Sequence, residues 1–284
     1  MPVPLNAADY ACLFAGHPRT AALRALQSWG EAIDGLVASG RTRAHEAAHH
    51  KLQWWQEELQ RLSAGSPVHP LTRELRQFAP EPGLWTALPE RLELAALELG
   101  GVAPDDADAA ARWDWRRHGV LQWTSIKLLA PAATLPAAPT HAALHRLAQH
   151  LGQALGRLDA CTLPLASARQ GRLGLPLEAL EAHGIAIGEL PEALGAPAHT
   201  AALATVVSGQ LEIAERALAL AAQEWLSQTA DVRADLRSVA VRQALTGLAL
   251  RRLRQNPLCQ DATTLLPPWR SLWNAWQAAR TAHR

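Results

Sequence analysis

Between residues 198 and 228 the side chains Leu211, Ala214, Leu218, Ala221 and Trp225 recur every three or four positions, and a second long helical segment follows over 232–254. A chain with that period buries a stripe, so its stable partners are other helices. No run alternates apolar and polar residues as a half-buried strand does. Alanine and leucine dominate, while tyrosine, phenylalanine and the β-branched residues are scarce, which favours helix over sheet. The sequence predicts an all-α, single-domain helical bundle over residues 1–284, and 49% apolar content is ample to fill its core.

The remaining elements follow from periodicity and breakers. A first helix spans about Pro18 to Val37 and stops at Ser39-Gly40; a second runs from Thr42 to Leu62 and stops at Ala64-Gly65-Ser66-Pro67. A short helix covers His69 to Phe78, PEPGLW turns, and another helix covers 88–100. The acidic PDDADA, 104–109, reads as the cap of a helix from Ala107 to Leu129. The proline-rich PAATLPAAPT is a loop or linker, and a helix from Thr140 towards Leu158 follows it.

The 27 basic and 26 acidic residues nearly cancel, so bulk charge gives no argument for nucleic acid. Cys12, Cys161 and Cys259 are widely separated and form no paired ligand motif, consistent with a reducing compartment. The opening MPVPLNAADYACLF lacks a secretory pattern, and no segment reaches the roughly 18 apolar residues of a spanning helix. The expected location is cytoplasmic, with peripheral attachment to the inner face of a membrane as an extension.

The stretch HEAAH, 45–49, fits the pattern in which two histidines four apart bind zinc and the intervening glutamate activates water. Two imidazoles at that spacing share a helical face. A metallopeptidase through His45, Glu46 and His49 also needs a third ligand, and no partner motif follows. The favoured reading is a charged helical face, with no metal site.

Three segments carry a family resemblance. KLQWWQEELQRLSAGSPVHPLTREL (51–75), YACLFAGHPRTAALRAL (10–26) and GRLGLPLEALEAHGI (171–185) resemble, in order, segments of the squalene/phytoene synthase family. The resemblance implies the isoprenoid synthase fold around a deep apolar tunnel. Synthases of this family condense two prenyl diphosphates, and two aspartate-rich motifs on facing helices hold the Mg2+ that stabilises the departing diphosphate.

This chain departs from both motifs. In EAIDGLV, 31–37, Glu31 and Asp34 match, but Ile33 and Val37 stand where two further carboxylates belong. In the second motif the expected acids fall on Leu163, Ala166 and Ser167, and only Asp159 keeps a match. The resemblance therefore implies a diverged member that leans away from catalysis, similar to the branch containing respiratory-complex assembly factors. Its ligand is an apolar or prenyl molecule, or its partner a protein, with no cofactor expected. Tyr10, Arg19, Glu31, Asp34, Lys51, Gln53, Trp54, Asp159 and Arg172 are the candidate residues of the remnant cleft. The alternative is a prenyltransferase using displaced acids and Mg2+.

From Arg251 to Arg284 six arginines face the single acid Asp261, a net charge of +5. Residues 265–284 read as an amphipathic helix started by Pro267 and Pro268, with Trp269, Leu272, Trp273 and Trp276 on one face and Arg270, Asn274 and Arg280 largely elsewhere. Such a helix suits an anionic membrane surface, the main bundle or a protein partner.

Overall fold

Helix α1 (Ala7–Leu13) leads into two long helices, α2 (Arg19–Thr42) and α3 (His45–Ala64), in this computed structural model. The structure describes residues 7–16, 19–42, 45–78, 81–130, 138–162, 173–186, 197–258 and 267–282. After α4 (Pro70–Phe78) and a 3-10 turn (Pro82–Trp85), α5 (Leu88–Leu99) returns across α2 and α3. Helix α6 (Ala107–Asp114) continues through a π-helical turn (Trp115–Gly119) into α7 (Val120–Leu129). The second half holds α8 (Ala138–Cys161), α9 (Leu177–Glu181), α10 (Pro197–Leu226), α11 (Ala230–Asp235), α12 (Arg237–Gln255) and α13 (Pro268–Thr281). No strand occurs among the described residues. The chain is an all-α helical bundle whose main core holds Trp29, Ile33, Leu62, Trp85, Leu92 and Ile126.

Local signals explain most boundaries. Asp106 caps α6 by accepting a hydrogen bond from the Ala109 amide at 2.7 Å, and Thr229 caps α11. Two stops differ from expectation. Helix α2 does not end at Ser39-Gly40, because Gly40 lies where a Cβ would collide with Ala48 and Leu99. Its missing side chain lets α2 cross α3 and α5 closely, which outweighs about 1 kcal/mol of lost helix propensity. The segment 232–254 is also broken, since Leu236 leaves helical geometry between α11 and α12. The linker residues 131–137 lie outside the described residues, and α8 begins at Ala138.

Helix α8 approaches the π-helical turn through glycines. A Cβ at Gly152 would strike the backbone of Gly119, and one at Gly156 would strike the Asp114 carboxylate. The seam thus depends on absent side chains, and backbone on one side cannot yield.

The WW-to-HP segment is held by one carboxylate. Glu58, fully buried on α3, accepts hydrogen bonds from the amides of Val68 and His69, both at 2.8 Å, from the Thr72 hydroxyl, and from Arg61 Nε at 2.8 Å. Burial alone would raise its pKa; the hydrogen bonds from Thr72, Arg61, His69 and Val68 outweigh that and lower it. His69 in turn packs its ring 4.7 Å from that of Trp55, and Trp55 meets Trp29 edge-on at 6.4 Å. These residues carry structure at the α3–α4 corner.

Gly152→Ala should lower stability by about 2 kcal/mol or more, whereas Gly209→Ala, with nothing near its Cβ position, should be neutral or gain up to about 1 kcal/mol; urea denaturation compares them. Glu58→Gln should cost on the order of 3 kcal/mol at neutral pH. With its folded pKa below the ordinary 4.5, the Glu58 contribution is present above that value and fades as pH falls below it. The variant's acid unfolding curve should lack that component.

Candidate functional site

Two of the three matched acids of the remnant motifs, Asp34 and Asp159, are joined by a chain of alternating charges. Asp34 on α2 receives Arg91 Nη2 from α5, and Arg91 Nη1 lies 3.3 Å from Glu98 Oε2, one face along the same helix. The other oxygen of Glu98 meets Arg117 of the π-helical turn, and Arg117 Nη1 donates to Asp159 Oδ2 on α8 at 2.9 Å. Arg91 and Glu98 are buried, whereas Asp34 and Asp159 at the two ends stay 43% and 48% exposed. His118 Nε2 stands 3.7 Å from Asp159; burial pushes the His118 pKa down, and Asp159 opposes that shift.

Ile33 and Val37, at the positions of the other first-motif acids, are fully buried in the core. Both oxygens of Glu98 face guanidinium groups, as do Asp34 Oδ1 and Asp159 Oδ2. The second-motif positions Leu163, Ala166 and Ser167 lie outside the described residues, as do Arg172 and the Arg19 side chain.

The other candidates spread out. Glu31 is exposed on α2 and accepts from Gln27 Nε2 at 3.0 Å. Lys51 and Gln53 are exposed on α3, and Lys51 lines a surface groove with Ala32, Gly35 and Ser39. Trp54 is 37% exposed, while its neighbour Trp55 is in the core. Tyr10 is buried and donates its hydroxyl to the Pro268 carbonyl at 3.2 Å, tying α1 to the start of α13. His45 and His49 do share a face, with Nε2 atoms 3.2 Å apart; among the described residues no group of three histidine, cysteine or acidic side chains is placed to hold a metal. On α13, Trp269, Trp273 and Trp276 face outward, and Arg270 and Arg280 stack over the rings of Trp269 and Trp276.

A cavity of about 40 Å³ lies between α1, α2, α7 and α12, lined by Cys12, Leu26, Gln27, Gln122, Ser238 and Arg242. Burial lowers the Arg242 pKa and raises that of Cys12, and Arg242 Nε has no hydrogen-bond partner among the described residues. Deeper, Arg157 of α8 grips Asp114 of α6 through Nε at 2.7 Å and Nη2 at 2.6 Å, and reaches Gln210 of α10 at 3.1 Å. Burial raises the Asp114 pKa to about 7 against the opposing pull of Arg157.

Sequence reasoning missed Arg91, Glu98, Arg117, Asp114 and Arg157. A signal existed in LPERLELAALEL, where Arg91 and Glu98, seven apart, occupy the stripe of Leu88, Leu92, Ala95 and Leu99. Charges inside an apolar stripe are paired when buried. Glu98→Gln leaves Arg91 and Arg117 without their shared carboxylate and should cost on the order of 3 kcal/mol in urea denaturation.

Solved structures with this architecture include a dehydrosqualene synthase in complex with ligand, with a TM-score of 0.74 at 15% identity over 96% of this chain and 90% of that one. A squalene synthase, HpnC from Alicyclobacillus acidocaldarius, gives a TM-score of 0.65 at 12% identity over 87% and 88%. At such identities the likeness concerns the fold. No curated protein sequence matches. The family description squalene/phytoene synthase matches residues 8–277, nearly the whole chain, and the chain therefore belongs to the squalene/phytoene synthase family.

Proposed function

We propose that this chain is a functionally diverged member of its family, a pseudoenzyme that keeps the helical scaffold to bind an apolar or isoprenoid ligand without ionising a prenyl diphosphate. The observation that carries this reading is the charge chain Asp34–Arg91–Glu98–Arg117–Asp159. Two guanidinium groups stand against three carboxylates and join the two walls directly. A magnesium cluster needs several carboxylate oxygens converging from both walls, and in this chain of charges the arginines compete for them. Ile33 and Val37 supply none. This arrangement favours the branch of the family similar to respiratory-complex assembly factors, in which the scaffold outlives the chemistry.

A second reading, a magnesium-dependent prenyltransferase with displaced acids, draws support from one feature: Asp34 and Asp159 remain about half exposed at the ends of the chain. One experiment separates the two. Purified protein is incubated with farnesyl diphosphate and MgCl2, and released pyrophosphate is measured beside the thermal midpoint. The expected outcome is no release above the protein-free blank and no magnesium-dependent rise in midpoint. Turnover that disappears in Asp34→Asn or Asp159→Asn would establish the prenyltransferase instead.

A further inference from the structure

Helix α13 is packed the reverse of an ordinary amphipathic surface helix. The side chains it turns inward are small: Ser271, Ala275 and Ala279 are buried, followed by Ala282 just past its end. The large apolar side chains point out, with Trp269 69% exposed, Leu272 51%, Trp273 55% and Trp276 41%. The tryptophans therefore do not dock on the bundle, one of the three roles their spacing allowed. Trp273 and Trp276 stack on each other at 5.2 Å and form an exposed aromatic ridge.

The charge on this helix has one sign. Residues 268–281 contain Arg270 and Arg280 and no acid. Arg270 lies 4.9 Å from the Trp269 ring centre and Arg280 lies 5.2 Å from that of Trp276, so Arg280 shares the aromatic face instead of standing apart from it. Arg251 of α12 lines the groove alongside, next to Asn274, Ala278 and Thr281. Among the described residues none of these three arginines has a carboxylate partner, in contrast to Arg254, which pairs with Glu215. Indole rings favour the head-group boundary of a bilayer, and unpaired arginines beside them favour lipid phosphate. No described helix is long and apolar enough to cross a membrane.

We propose that the outer face of α13 is a docking surface for an anionic bilayer, with Trp269, Trp273 and Trp276 at the head-group boundary and Arg251, Arg270 and Arg280 on lipid phosphates. The inference goes beyond the reading of the cleft and stands independently of it. Flotation of the full chain with phosphatidylglycerol/phosphatidylcholine vesicles, against phosphatidylcholine alone, tests it. Binding should require the anionic lipid, shift tryptophan emission to the blue and weaken strongly at 0.5 M salt. Arg270→Ala with Arg280→Ala should reduce partitioning about 25-fold, and Trp273→Ser with Trp276→Ser should weaken binding and shrink the emission shift to what Trp269 alone supplies. Both pairs are exposed, so their far-UV spectra and thermal midpoints should match the parent. Absence of binding by the unaltered chain, equal binding to neutral vesicles, or a dimer in light scattering that dissociates in the tryptophan variant would each overturn the proposal.

Discussion

Arg91 and Glu98 lie on the apolar stripe of α5, and the cleft is organised around the need to neutralise them. An isolated buried guanidinium is costly, and a single buried pair about breaks even against apolar packing. The chain meets that constraint by extending the pair in both directions, to Asp34 on α2 and through Arg117 to Asp159 on α8, until each end reaches solvent. The outcome is a polar seam that fixes where α2, α5, the π-helical turn and α8 sit relative to one another. Registry of this kind, more than net stability, is what buried ionic groups are best placed to supply.

A second constraint acts where α6 enters the π-helical turn. Arg157 and Asp114 form a two-bond ion pair between α8 and α6, and Gly156 leaves the room the carboxylate occupies. Gly152 lets the backbone of α8 settle onto Gly119. Helix α8 is thus placed by close backbone approach along one stretch and by guanidinium contacts along others. The π-helical turn itself brings Arg117 and His118 to the same end of α8 that presents Asp159.

Much of the fold was legible in the sequence because helices announce themselves locally. The Asp106 cap, the prolines before α13 and the three-to-four spacing in α10 depend on neighbours in sequence. Gly40 misled because its role is tertiary: the residue that breaks an isolated helix here permits a crossing. The α11–α12 break at Leu236 carries no glycine or proline, so nothing local marked it. For the cleft, the family motifs located Asp34 and Asp159, yet the residues that answer them come from α5 and the π-helical turn, whose segments matched no motif. Trp54 read as a cleft residue from sequence, and nothing local marked that Glu58, Trp55 and His69 brace the α3–α4 corner. Which face of α13 meets the bundle depended on the size of its alanines, which periodicity weights weakly against tryptophan.

The arginine–carboxylate chain also constrains the routes by which this cleft can change over generations. An aspartate introduced at position 33 would enter a site of zero solvent exposure, and the arginines would still hold the acids already there. Removing Arg91 or Arg117 first would strand Glu98 without one of its two partners. On the reading proposed above, a stepwise gain of further cleft acids therefore passes through less stable intermediates in either order, so the stability of the scaffold itself limits such change.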